Sequence, residues 1–324
     1  MICQILIDGF ARSSAVKKPM PIKIPNNLPG RQILERENVP FINESVAERQ
    51  DIRPLQILIL NLMPDKIKTE TQLLRVLGAT PLQIEITLLH MSTHESKNTS
   101  KDHLLEFYVT HDEIKDRKFD GLIVTGAPVE QLEFEDVGYW KELEEILDWS
   151  DTNVHSSFFI CWGAQAALYH YHKVPKHQLS AKQSGVYPHK VVAHYQSLIT
   201  GFDDIINIPV SRHTEVRHKD IEVVPYLHII LDSDESGACL VHEPSKARVY
   251  MFNHLEYDTD TLKSEYERDL ASGLNPSLPA HYFPENDPSR KPHMTWRAHR
   301  NLLFGNWINL VYQTTPYDLE KIKK

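Results

Sequence analysis

Cysteine is scarce in this 324-residue chain: Cys3, Cys161 and Cys239 are the full set. Three thiols over that length do not make a disulfide framework, so a reducing cytoplasm is the expected setting. Long apolar runs are also missing. The longest, such as Leu55–Leu60, fall far short of the roughly 20 residues a membrane span requires. There is no excess of basic charge: 35 Lys and Arg stand against 44 Asp and Glu, for a net charge of −9. Bulk attraction to nucleic acid or to an anionic membrane surface is therefore excluded, although a local basic patch can still hold an anionic ligand. Neither a phosphate-cradling GxxxxGK nor a dinucleotide-binding GxGxxG is present. Internal repeats and low-complexity tracts are absent too.

What remains has the composition of an ordinary globular protein, 41% hydrophobic and 24% charged. The N-terminal MICQILIDGFARSSAVKK has a short apolar run with no positive charge ahead of it, a poor secretory signal. Met20 opens a second plausible start, so residues 1–19 are expected to be a tail or a start-site artefact. From Met20 to about Arg53 the chain is rich in Pro and Asn and reads as an arm over the surface. No linker divides the rest, and residues 20–324 are expected to form one domain that includes this arm.

Strand and helix patterns then alternate. Leu55–Leu60, Ile84–Leu89, Phe119–Thr125 and Ser156–Ile160 read as buried strands. Between them lie a helical pattern over Lys66–Leu77, closed by Gly78, and an amphipathic helix over Tyr139–Trp149. A further helix covers Ala164–His172. This alternation predicts an α/β fold with a mostly parallel central sheet flanked by helices. After Val174 the pattern turns irregular, with strands at Leu227–Leu231, Ala238–Val241 and Val249–Asn253 and a long helix from Trp296 to Tyr312.

The sharpest chemical signal is Ser156-Ser-Phe-Phe-Ile-Cys-Trp-Gly-Ala-Gln165. An apolar strand runs into Cys161 and a helix follows at once, the layout of a nucleophile elbow. Gly163 is the small residue such a turn needs. The helix N-terminus favours a thiolate, and the Trp162 N–H is placed to hold an oxyanion. A second donor is expected around Asn61-Leu-Met63. By itself Cys161 is equally well read as a buried small hydrophobe. His254 and Glu256 shift that balance: two apart at a strand end, they share a face if the chain stays extended, and a carboxylate there orients a base for the thiol. Cys239, in Gly-Ala-Cys-Leu-Val, reads as a core residue. The histidines of Tyr169-His-Tyr-His-Lys173 lack supporting ligands at metal-binding spacing and read as helix-face residues, so no metal is expected.

Phe159-Ile-Cys-Trp-Gly-Ala-Gln165 followed by His254-Leu-Glu256 resembles the class I glutamine amidotransferases, a flavodoxin-like fold. Phe159 stands where that family has glycine, however, and Leu255 where it has proline. A fuller similarity, from Met20 onward, is to the homoserine O-acyltransferases of methionine biosynthesis, which share the fold. It rests on Met20-Pro-Ile-Lys-Ile-Pro-Asn-Asn-Leu-Pro29, Leu60-Asn-Leu-Met-Pro64, Thr125-Gly-Ala-Pro128, Val137-Gly-Tyr-Trp140 and Cys161-Trp-Gly-Ala-Gln-Ala-Ala167. Glu256-Tyr-Asp258, Tyr282-Phe-Pro284 and Thr315-Pro-Tyr-Asp318 complete it.

The resemblance implies that Cys161 accepts the acyl group of an acyl-CoA as a thioester and passes it to the hydroxyl of L-homoserine. It implies His254 as general base with Glu256 as its orienting partner, and Lys182, Ser211 and Arg268 as substrate-binding residues. Acyl-CoA is then a co-substrate, no separate cofactor is required, and a homodimer is implied. In this family the residue at Glu130 separates acetyl-CoA users from succinyl-CoA users. Electrostatics agrees: two like charges about 4 Å apart at an effective dielectric near 20 cost roughly 4 kcal/mol, which penalises succinyl and spares acetyl. The expectation is acetyl transfer. Succinyl transfer, a glutaminase and a non-catalytic binding module are the competing readings.

Overall fold

The computed structural model describes residues 22–25, 27–36, 42–43, 53–94, 99–193 and 196–322. Residues 1–19 and half of the expected arm lie outside that set. Among the described residues twelve strands form one sheet: β1 (Ile22–Ile24), β2 (Ile42–Asn43), β3 (Leu55–Leu60), β4 (Ile84–Leu89), β5 (Tyr108–Val109), β6 (Phe119–Val124), β7 (Val154–Ile160), β8 (His177–Val191), β9 (Ile205–Glu215), β10 (His228–Ser233), β11 (Gly237–Glu243) and β12 (Arg248–Met251). Their order is β2-β1-β4-β3-β6-β7-β12-β11-β10-β8-β9, with β5 beside β4.

From β2 to β12 every pairing is parallel. These strands are covered on both faces, which is why β3, β6 and β7 read as continuous apolar runs rather than alternating ones. Beyond β12 the pairings are antiparallel. The α/β class and the parallel core thus match the sequence pattern. Residues 22–24 of the expected arm do not lie over the surface: β1 pairs with β4 and β2, and Ile22 and Ile24 are buried.

Helices α1 (Arg31–Arg36), α2 (Lys66–Leu77), α3 (Lys101–Phe107), α4 (Trp140–Asn153), α5 (Trp162–His172), α6 (Thr261–Ala271) and α7 (Arg297–Thr314) flank the sheet. Asp65 caps α2 by accepting the Lys68 N–H at 3.2 Å, and Gly78 closes it through an N–H to the Leu74 carbonyl at 2.8 Å. On α4, Trp140, Leu143, Ile146 and Leu147 are buried as their spacing predicts. Helix α7 docks Phe304 and Trp307 on Phe158 of β7, and the Trp307 indole donates to Ser156 Oγ at 3.0 Å. That docking explains Gly121 in β6, where a Cβ would come within 3.0 Å of the Trp307 ring and 2.8 Å of Ile57.

The strand order reverses at β3. Its C-terminal end, with those of β6, β7 and β12, opens into the loops beginning at Asn61, Thr125, Cys161 and Phe252. In an open α/β sheet that crevice is where ligands bind.

Candidate active site

Cys161 is the single residue between β7 and α5. Its φ of 51° and ψ of −121° lie in a region that non-glycine residues avoid, a strain of about 1–3 kcal/mol that surrounding bonds must sustain. Those bonds are present. The Cys161 N–H donates to the Met251 carbonyl at 2.7 Å, and its own carbonyl accepts from the Ala164 and Gln165 N–H groups. Gly163 is required for a reason beyond the turn, since a Cβ there would stand 2.5 Å from the Thr125 carbonyl oxygen. Helix α5 starts directly at Trp162, two residues ahead of the sequence expectation.

The thiol shares its cavity with the His254 imidazole, and both that imidazole and the Trp162 backbone N–H favour its charged form. Burial raises its pKa, the neighbouring imidazole opposes that rise, and Glu130 adds to it. Cys239 differs: it is enclosed in β11, and burial pushes its thiol up to about 12.

His254 and Glu256 are joined, though by a different geometry from the one expected. Strand β12 stops at Met251, and Leu255 and Glu256 lie in a turn. The turn brings His254 Nδ1 to donate to Glu256 Oε1 at 2.6 Å, which leaves Nε2 for the thiol. The His254 N–H is tied to the Pro209 carbonyl at 2.9 Å, and its ring stacks on Tyr257 with centroids 4.1 Å apart. Burial disfavours a charge on this imidazole, but Glu256 and Cys161 outweigh it and hold the pKa well above its ordinary value.

The expected second oxyanion donor is not at Asn61-Leu-Met63. The Leu62 N–H is committed to Thr125 Oγ1 at 2.8 Å and the Met63 N–H to Asn61 Oδ1 at 3.1 Å. The buried ammonium of Lys66 holds this loop further by donating to the Asn61 carbonyl at 2.6 Å. Gly126 lies closer to the reaction centre: a Cβ on it would be 3.2 Å from the Cys161 Cβ.

Cys161 and His254 open on a cavity of about 660 Å³ whose wall also carries Glu130, Lys182, Ser211 and Arg268, so the sequence-predicted side chains converge. Glu130 is anchored: its Oε2 accepts the His213 and Thr214 N–H groups of β9 at 2.6 and 3.3 Å. Lys182 comes from β8, Ser211 from β9 and Arg268 from α6.

Two carboxylates organise the surroundings of Lys182 and Arg268, and sequence reasoning missed both. Glu265 accepts from Ser211 Oγ at 2.5 Å and from the Tyr257 hydroxyl at 2.8 Å, with Lys182 Nζ at 3.5 Å. Burial works against its charge, yet Lys182 and these donors keep its pKa below the usual range. Asp269 accepts from Lys182 Nζ at 2.9 Å and takes two bonds from Arg268, at 3.0 and 2.8 Å. One edge of the Arg268 fork is thereby occupied. Residues 265, 268 and 269 share one helical face, a spacing that would have revealed them had α6 been read as a helix.

Other titratable groups are accounted for differently. His170 meets Asp148 at 2.7 Å and His172 meets Glu243 at 3.1 Å, pairings on the face of α5. No helix among the described residues is long and apolar enough to cross a membrane.

The fold agrees with that of known proteins. A glutamine amidotransferase from Thermotoga maritima superposes with a TM-score of 0.53 at 9% identity, covering 81% of this chain and all of that one. The glutaminase domain of Trypanosoma brucei CTPS superposes with a TM-score of 0.51 at 12% identity, covering 83% and 98%. At those identities the likeness is one of fold alone. Sequence reaches further. The homoserine O-acetyltransferase of Chelativorans sp. (strain BNC1) is 56% identical over 303 residues, 94% of this chain and 97% of that one. The protein of the same name from Acetivibrio thermocellus is 55% identical over 305 residues, 94% and 100% of the two chains. The family model for homoserine O-succinyltransferase matches residues 21–317. This chain is an acyltransferase and belongs to the homoserine O-acyltransferase family.

Proposed function

We propose that the protein transfers an acetyl group from acetyl-CoA, through a thioester on Cys161, to the side-chain hydroxyl of L-homoserine. His254 takes the thiol proton and the sulfur attacks the thioester carbonyl. The oxyanion is held by the Trp162 N–H, with the backbone of Gly126 as the place for a second donor. As the tetrahedral intermediate collapses, CoA leaves as its thiol with the proton from His254. Homoserine then enters. His254 removes its hydroxyl proton, the oxygen attacks the acyl carbonyl, and O-acetyl-L-homoserine departs as Cys161 regains its proton. Glu256 fixes the imidazole so that Nε2 serves both half-reactions.

The part of the cavity around Lys182 and Arg268 suits an amino acid. Lys182 and Arg268 supply two cations and Glu265 and Asp269 two carboxylates, a balanced set for a zwitterion. The free edge of Arg268 addresses the substrate carboxylate, Glu265 its ammonium, and Ser211 adds a polar contact. The observation that carries the donor choice is Glu130, a fixed negative charge in the same cavity as the nucleophile. It repels the distal carboxylate of succinyl-CoA and leaves acetyl-CoA unaffected.

Mass spectrometry after mixing the protein with acetyl-CoA tests the intermediate: one acetyl group is expected on the wild type and none on Cys161→Ser. Steady-state comparison of acetyl-CoA with succinyl-CoA tests the donor, and a clear succinyl-CoA preference refutes it. Glutamine hydrolysis independent of any acyl-CoA would instead favour the glutaminase reading.

A further inference from the structure

The larger groove beside the active site has no role in the reading above. It encloses about 940 Å³ between α2, the N-terminal turn of α7 and the loops around Asp258 and Lys291. Its charge runs against that of the chain. The chain has a net charge of −9, yet this groove gathers five cations, Lys68, Arg75, Lys291, Arg297 and Arg300, against three aspartates. Two of those aspartates have local duties. Asp65 caps α2, and Asp258 receives Arg75 at 2.6 Å. Among the described residues no carboxylate pairs with Lys68, Lys291 or Arg297 within ion-pair distance. Ile67, exposed although apolar, and Met294 give the same groove an apolar side. Unpaired cations next to an apolar surface suit a ligand that has both phosphates and a flat ring.

The groove adjoins the catalytic cavity through two short pieces of chain. Met63 lines one and Asp65 the other; Tyr257 lines one and Asp258 the other. A ligand with its reacting group at Cys161 and its anionic end in the groove needs only to cross these residues.

We propose that this groove holds the phosphorylated adenosine end of the acyl-CoA donor. Lys68, Lys291 and Arg297 meet its phosphates and Ile67 and Met294 face its base. The inference rests on the reading of the donor as a CoA thioester, and the assay separates the two claims.

The test is the double charge reversal Lys291→Glu with Arg297→Glu, both exposed positions away from the core, with Lys141→Glu on α4 as a control of equal sign. Two measurements are made. Calorimetric titration with adenosine 3′,5′-bisphosphate reads the groove with no chemistry involved: the wild type and Lys141→Glu bind it and the double variant does not. Kinetics then compares acetyl-CoA with acetyl-pantetheine, which has no nucleotide. The double variant should raise KM for acetyl-CoA by about tenfold or more, the expectation for lost charge-assisted contacts, and treat acetyl-pantetheine as the wild type does. The proposal is overturned if the wild type fails to bind the bisphosphate, if the double variant still binds it, or if both donors suffer alike. If the wild type transfers nothing from acetyl-CoA to homoserine, the proposed function falls, and the titration alone decides the groove.

Discussion

Replacing Glu130 by Gln removes one negative charge and little else. The Gln side-chain oxygen can still accept the His213 and Thr214 N–H bonds, so the loop after β6 keeps its anchor on β9. Lys182 and Arg268 do not offset the lost charge, because each is already paired with Glu265 or Asp269. A succinyl carboxylate about 4 Å from Glu130 is penalised by roughly 4 kcal/mol at an effective dielectric near 20, on the order of a thousandfold in kcat/KM. At about 8 Å the penalty halves, to roughly 2 kcal/mol and about thirtyfold. The ratio of kcat/KM for acetyl-CoA over succinyl-CoA, at saturating homoserine, should therefore drop in Glu130→Gln by a factor between about thirty and a thousand. A second readout guards the interpretation. Glu130 raises the Cys161 pKa, so its loss should shift the pH profile of iodoacetamide alkylation to lower pH. If alkylation shifts and the donor ratio does not, the charge was felt at the sulfur without governing donor choice. That pair of results refutes the electrostatic argument.

Three further outcomes follow. Glu256→Gln removes the charge that holds the His254 pKa up and orients its ring, and kcat should fall by about 10²–10⁴, measured with saturating donor and acceptor. Glu265→Gln should raise KM for homoserine by about tenfold and leave KM for acetyl-CoA unchanged; equal change in both would remove Glu265 from the acceptor site. Acid should destabilise the fold through His189 and His242, which burial pushes down to about 4. The unfolded chain binds these protons near pH 6.5 and the folded chain only near 4, so stability present above 6.5 is lost as pH falls between those values. Each histidine contributes roughly 3 kcal/mol at most to that loss, and His189→Asn should flatten the urea-unfolding profile across the window. His254 has the opposite sign, since its raised pKa stabilises below 6.5 and that contribution disappears as pH rises.

The parallel half of the sheet was legible because burial on both faces writes itself as an apolar run. Residues 84–89 have the same bounds in sequence and structure, and residues 55–60 likewise. The antiparallel half was legible only in part: the expected strands at Leu227–Leu231 and Ala238–Val241 fall on β10 and β11, whereas β8 and β9 went unread. Strand β8 reads His-Gln-Leu-Ser-Ala-Lys-Gln-Ser-Gly-Val-Tyr-Pro-His-Lys-Val, with polar residues in succession and a proline inside, because much of it is solvent-exposed and its pairing with β9 supplies the order. Lys182 and Ser211 sit on that pair, so only the family resemblance pointed to them.

The same limit explains Glu265 and Asp269. Much of their meaning comes from Lys182 of β8, which faces both of them from more than eighty residues away in the chain. Cys161 is the contrary case. The strand, the glycine two residues on and the helix that follows are all local, and local pattern alone marked it. Yet what would make it the proposed nucleophile, rather than a buried thiol, lies elsewhere in the chain. The Met251 carbonyl holds its strained backbone, and a turn after β12 delivers His254 to the sulfur. In the proposed mechanism reactivity belongs to the junction of β7 and β12, and a substitution that loosened either strand end should lower the rate with Cys161, His254 and Glu256 all intact.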